Sequence, residues 1–218
     1  MMRRLILLAL TAALAVPAFA DQTEDEVDLL RAVQTDYASA VKTLLARGVN
    51  PNIRDANGET ALIIAMRYES LKVADLLMDQ PGIDLEAHAP NGNTALMMAA
   101  FRNNQAAVLD MLQRGAQVNQ KGWAALHYAA AAGSTAIVGI LLEHHAYIDA
   151  ESPSGMTPLM LAAREGQEDV VRQLLEQGAD ATLKDGGFHL TAAGFALKAE
   201  KPWIAKTIAA YLAAHPKH

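Results

Sequence analysis

Seven histidines are the first side chains in this 218-residue sequence that could do chemistry, as metal ligands or as proton-transfer groups. Their spacing argues against both. His144 and His145 are neighbours at the end of a helical stretch, where successive side chains diverge instead of converging on one ion. His215 and His218 belong to a polar tail. There is no H-E-x-x-H, no ladder of paired histidines and no acidic calcium loop. The chain has no cysteine to act as a nucleophile and no G-x-S-x-G elbow to present a serine. Ser152 and Ser154 in "SPSGM" read as turn formers. "KDGGF" at Lys184–Phe188 has two glycines but lacks the strand–turn–helix setting of a phosphate cradle, and reads as a loop. Met97, Met98 and Met160 could suggest a soft-metal or redox stripe. Their helical spacing among apolar neighbours makes them core filler. These residues predict no metal, no cofactor and no enzyme.

The elements that would have to position such residues are more informative. In "GMTPLMLAAREGQEDVVRQLLEQGAD", Gly155 to Asp180, Thr157 can cap a helix while Pro158 takes its first position, where a missing N–H costs nothing. Leu159, Ala162 and Ala163 share one side, and Gly166 can stop the helix with φ > 0. Val170, Val171, Leu174 and Leu175 then form the stripe of a second helix, which Gly178 ends in the same way. Alone, such a hairpin is marginal in water.

The unit recurs. "NGETALIIA" at Asn57–Ala65, "NGNTALMMAA" at Asn91–Ala100, "KGWAALHYAA" at Lys121–Ala130 and "SGMTPLMLAA" at Ser154–Ala163 are one phrase, with a weaker "LTAAGFA" at Leu190–Ala196. Paired apolar residues follow each, over Val73–Met78, Ala107–Leu112, Ile137–Leu142 and Ile204–Ile208 in the other four units. The capping threonine or its substitute stands at 60, 94, 124, 157 and 191, with spacings of 34, 30, 33 and 34. A fixed period of that size marks a solenoid.

On these residues the chain resembles an ankyrin-repeat protein. The T-P-L-H-x-A phrase, the glycine between helices and the exits "RGVNPN", "RGAQVN" and "QGADAT" match that family's pattern, whereas the Trp-Leu-Gly-Tyr pattern of tetratricopeptide repeats is missing. The resemblance implies an all-α fold, an ankyrin-repeat solenoid of stacked helix-turn-helix units with short β-hairpin-like loops. It gives one domain over 26–212 of about six units, two of them caps, after an acidic stub at 21–25 and before a polar tail at 213–218. His127, in "LHYA", is then a structural hydrogen-bonding residue. Two departures stand out. The link "GAQVNQKGWAAL" is three residues shorter than its neighbours, which should clip one hairpin finger and bring Trp123 close to the stack. "MDQPGIDLE" is one residue longer and should turn at Pro81–Gly82.

Residues 1–20, MMRRLILLALTAALAVPAFA, have a basic start, a short apolar run, Pro17 and small residues at the end, the pattern of a secretory signal peptide cleaved after Ala20. The run is shorter than the ~20 residues of a membrane span. Cleavage removes Arg3 and Arg4 and no acid, leaving 16 basic and 24 acidic side chains, a balance of −8. That acidity and an aromatic content of 5% argue against nucleic acid as partner. The expected protein is a periplasmic, bacterial, monomeric binding module that does not engage the membrane after cleavage. In the family, partners dock on a concave face. The positions around each phrase that would project onto it are Arg67, Tyr68, Phe101, Arg102, Trp123, Arg164 and Glu165, with Phe188 and His189 extending the row. Phe101 and Trp123 could equally fill gaps between repeats. A second reading stays open: small exported proteins of this type resemble companions of stress enzymes such as catalases, or immunity proteins that neutralise a toxic effector.

Overall fold

A threonine hydroxyl opens most units. Thr60, Thr94, Thr157 and Thr191 each sit in extended backbone and accept the N–H three residues on, from Ile63, Met97, Met160 and Gly194. Thr23 does the same for Glu26, whose carboxylate returns a bond to the Thr23 N–H, a closed capping box. The first helix therefore begins at Glu24, inside the stretch expected to be a stub.

The computed structural model describes residues 23–215. Twelve helices lie among them in six pairs. They are α1 (Glu24–Gln34) and α2 (Ala38–Ala46), α3 (Ala61–Tyr68) and α4 (Leu71–Met78), α5 (Ala95–Phe101) and α6 (Gln105–Gln113), α7 (Ala125–Ala132) and α8 (Thr135–Glu143), α9 (Pro158–Glu165) and α10 (Glu168–Glu176), and α11 (Ala192–Lys198) and α12 (Pro202–Ala214). The odd-numbered helices pack on one another in chain order, and the even-numbered ones form a second row behind them. This is the expected all-α solenoid. The leader 1–20 and His218 lie outside the described residues; α12 runs two residues past the expected end of the domain at 212.

Stacking explains why such short helices persist. In α5 every residue from Ala95 to Ala100 is buried, because neighbours cover both sides and α6 the back. The alanines allow close approach, and Leu62, Ile63, Met97, Leu126 and Leu159 fill what remains. Met97, Met98 and Met160 are core side chains.

The turn between the two helices of each unit places one residue in the left-handed region, at Asp36, Glu69, Asn103, Gly133, Gly166 and Glu200. The expected glycine fills only two of the six. Where the position is polar it can serve the stack: Asp36 Oδ1 accepts the Val73 N–H of the next unit at 3.0 Å, and Asn103 accepts the Ser134 hydroxyl. Asparagines clasp the loops from below. Asn52 donates to Gly82 O (2.8 Å) and accepts from Asp84 N (2.9 Å), and Asn119 makes the same pair with His145 O and Tyr147 N. Helix α4 ends at Met78 and the chain turns through Gly82 at φ 78°, as the longer link requires.

Candidate recognition groove

The fingers linking the units are hairpins in outline only: among the described residues the one bridge joins Arg54 to Thr60. A backbone bond nevertheless crosses most of them, Asp55 N–H to Glu59 O (2.9 Å), Ala89 to Asn93 (2.8 Å), Ser152 to Met156 (2.9 Å) and Asp185 to Leu190 (3.1 Å). In the last, the buried Asp185 carboxylate also gathers the N–H groups of Gly187, Phe188 and Leu190, so "KDGGF" is a self-bonded loop. The finger entering α7 is three residues shorter and has no such cross-bond; Lys121–Trp123 simply bend, with Gly122 at φ 87°.

The clipped finger leaves a notch, and aromatic side chains line it. Trp123 lies edge-on to His127 (centroids 5.3 Å, 74°) and to Tyr128 (6.2 Å, 61°), and Phe101 meets Tyr128 at 6.2 Å and 89°. The Tyr128 hydroxyl donates to Asn93 Oδ1 at 2.5 Å, which fixes the ring, and partial burial raises its pKa. The notch opens into a groove of about 620 Å³ walled by these three rings, Leu161 and the Arg164–Glu165 pair, with Ala131 and Ala132 where other units carry large side chains. Arg164 Nε donates to Glu165 Oε1 at 2.8 Å, and both side chains remain open to solvent.

His127, at the base, is buried and spoken for. Position 124 is alanine, with no hydroxyl to cap α7, and His127 Nδ1 accepts the Ala124 N–H (3.1 Å) in partial compensation. Nε2, protonated in that tautomer, donates to Met156 O of the next unit at 3.0 Å. Burial lowers the imidazole pKa, the Met156 carbonyl pulling the other way. A neutral ring with both nitrogens engaged is a structural clasp between units, the role the sequence resemblance implied. Among the described residues no group of three or more histidines, aspartates or glutamates could hold a metal ion.

Four of the expected site residues thus meet: Phe101, Trp123, Arg164 and Glu165. Trp123 is half-buried and does both jobs considered for it, packing on the stack while walling the groove. The others lie elsewhere along the row. Arg67 folds onto Glu59 as an ion pair, and Tyr68 beside it is 55% exposed. Arg102 reaches back to Glu69 (3.8 Å) and stays outside the groove. Phe188, 63% exposed, packs on Phe195 beneath Lys198, and His189 sits in the same finger at φ 55°. Sequence reasoning missed Tyr128, which stands where Ile64, Met98 and Leu161 are buried in other units. A polar-tipped ring where three other units carry Ile, Met or Leu was the available signal. It also missed the Ala131–Ala132 pair, which replaces Arg67–Tyr68, Phe101–Arg102 and Arg164–Glu165 and so hollows the row at its centre.

Comparison with known proteins agrees with this architecture. The family model described as ankyrin repeats (3 copies) matches residues 29–122 and 108–185. The human transient receptor potential cation channel subfamily A member 1 is 34% identical over 159 residues, 68% of this chain and 14% of the channel. The mouse B-cell lymphoma 3 protein homolog is 34% identical over 161 residues, 71% of this chain and 36% of that protein. The chain therefore spans well under half the length of these relatives. Among solved structures, the human ASB11 ankyrin repeat domain superposes with a TM-score of 0.75 at 27% identity, covering 84% of this chain and 82% of that one. The Bcl-3 ankyrin repeat domain gives 0.67 at 32% identity, covering 82% and 81%.

Proposed function

This chain belongs to the ankyrin-repeat family, and from that premise we propose that it is a non-catalytic recognition module that binds a protein partner in the groove over α7. Ankyrin repeats are protein–protein interaction modules, and this one gathers interface chemistry in one place. The observation that carries the reading is that three consecutive units deliver Phe101, then Trp123 and Tyr128, then Arg164 and Glu165 to a single cleft. Aromatic residues and arginine dominate the energetics of protein interfaces. Ring contacts, the Tyr128–Asn93 bond and the clasp through His127 hold the walls in place before a partner arrives. A preformed site loses little ordering entropy on docking.

The leader pattern of residues 1–20 supports export, which we read as a periplasmic site of action in a bacterium. A photo-crosslinking residue at position 132, in the groove, compared with one at position 143, on the exposed end of α8, tests the surface. The expected result is partner adducts from position 132 alone. Equal adducts at both positions, or none at 132, would reject the groove.

A further inference from the structure

The last unit contains a smaller version of the same arrangement, complete. There a finger ring, Phe188, meets the ring four residues past the capping position, Phe195, at 6.2 Å and 83°, and the side chain seven residues past it, Lys198, sets its ammonium 3.0 Å from the centre of the Phe188 ring. In the fourth unit Tyr128 and Ala131 occupy the positions of Phe195 and Lys198, and the finger ring is Trp123, one residue before the capping position where Phe188 is three before it. The two rings stand at the same 6.2 Å separation. The position that supplies the cation in the last unit is a methyl group here, so among the described residues this position sets no charge over these rings. Two further groups surround the same space: a third ring, Phe101, from the unit before, and the Glu165 carboxylate from the unit after.

Resting on the recognition function above, we propose that the groove takes a protein segment through one inserted lysine or arginine side chain. Its cationic head lies against Trp123, Tyr128 and Phe101 and pairs with Glu165, and its methylene stem packs on Leu161 and Ala131. Ring faces carry the negative end of the aromatic quadrupole, and tryptophan offers the strongest of them. Long basic side chains bring an apolar stem together with a charged tip, which matches rings below and a carboxylate at the rim. Long-range charge agrees: the whole chain carries −6, so a basic segment is drawn in and an acidic one repelled. Arg164 is the competing group. It holds one Glu165 oxygen in a solvent-open pair, and exposed pairs of this kind are weak enough to exchange partners.

That competition makes the test signed. Three fluorescein-labelled peptides, identical Gly/Ser sequences with a central Arg, Leu or Glu, are titrated against the whole protein by anisotropy at low salt. The Arg peptide is expected to bind at least fivefold more tightly than either of the others. Ala131→Lys, which copies the last unit and caps the rings from within, should cost the Arg peptide tenfold or more with an unchanged circular dichroism spectrum. Glu165→Gln should weaken it, and Arg164→Ala, by freeing the carboxylate, should strengthen it severalfold. Preference for the Leu or Glu peptide, equal affinity for all three, or loss of binding in Arg164→Ala would overturn the proposal. If position 132 crosslinks a partner while the Arg peptide shows no preference, the recognition function stands and the basic anchor falls. If position 132 gives no adduct, the recognition function falls first.

Discussion

Replacing His145 with glycine should stabilise the protein, and a partner substitution turns this into a measurement of backbone strain. The outer helices of units 1, 3 and 5 are followed by Gly48, Gly115 and Gly178 with φ of 91°, 89° and 96°. The same place after α8 is His145 at φ 65°. A residue with a Cβ loses roughly 1–2 kcal/mol in the left-handed region. The His145 side chain is exposed, and the bonds the residue makes run through its backbone: N–H to Leu142 O at 2.9 Å, and O from Asn119 Nδ2 at 2.9 Å. Glycine keeps both. Against the relief stands the greater freedom of glycine in the unfolded chain, about 0.5–1 kcal/mol. His145→Gly should therefore gain about 0.5–1 kcal/mol net, a rise of some 1–4 °C in Tm for a chain of this size. Gly178→Ala is the mirror experiment. A Cβ built there meets nothing within 4 Å, so packing is unaffected and only the dihedral objects. It should lose about 1 kcal/mol. Urea unfolding with a shared m-value gives both numbers. A loss in His145→Gly, or an Ala at 178 that costs nothing, would refute the argument that φ sets these positions.

Three further outcomes follow from the packing. Because burial holds the folded-state pKa of His127 below 6.5, the unfolded chain binds the extra proton first as the pH falls. Stability due to His127 should be intact above about 6.5 and decline below it until the folded-state pKa is reached. His127→Met, the residue found at this place in units 3 and 5, should remove that part of the slope in urea midpoints taken from pH 8 to pH 5; identical slopes would contradict it. Leu159→Ala, at a fully buried site in the most regular unit, should cost about 2–5 kcal/mol by chemical denaturation, and an unchanged midpoint would deny it a place in the core. Tyr128→Phe deletes the donor to Asn93 and should destabilise by about 1 kcal/mol; a gain in stability would mean the bond contributes nothing.

What the sequence by itself determined is everything decided within one unit. The threonine caps, the Pro158 start, the stop at Gly166, the apolar stripes and the 30- to 34-residue period are short-range features, and each appears in the structure where its residues stand. The turn residues show the limit of this reading. Gly133 and Gly166 announce a left-handed position, but Asp36, Glu69, Asn103 and Glu200 adopt it too. For Asp36 and Asn103 a polar side chain that ties the next unit is a visible compensation, and it involves a neighbour more than thirty residues away. The sequence put Phe101, Trp123, Arg164 and Glu165 on one face, but their convergence with Tyr128 in a groove belonged to the tertiary structure. The shortened link foretold a missing finger, yet nothing local in "LHYAAAA" shows that Tyr128 will lean on Phe101 from one unit while the Arg164–Glu165 pair of another closes the far wall. Capping and periodicity act along the chain and are written in order. A cleft shared by three units depends on how the units stack, and the stacking comes from the whole core at once.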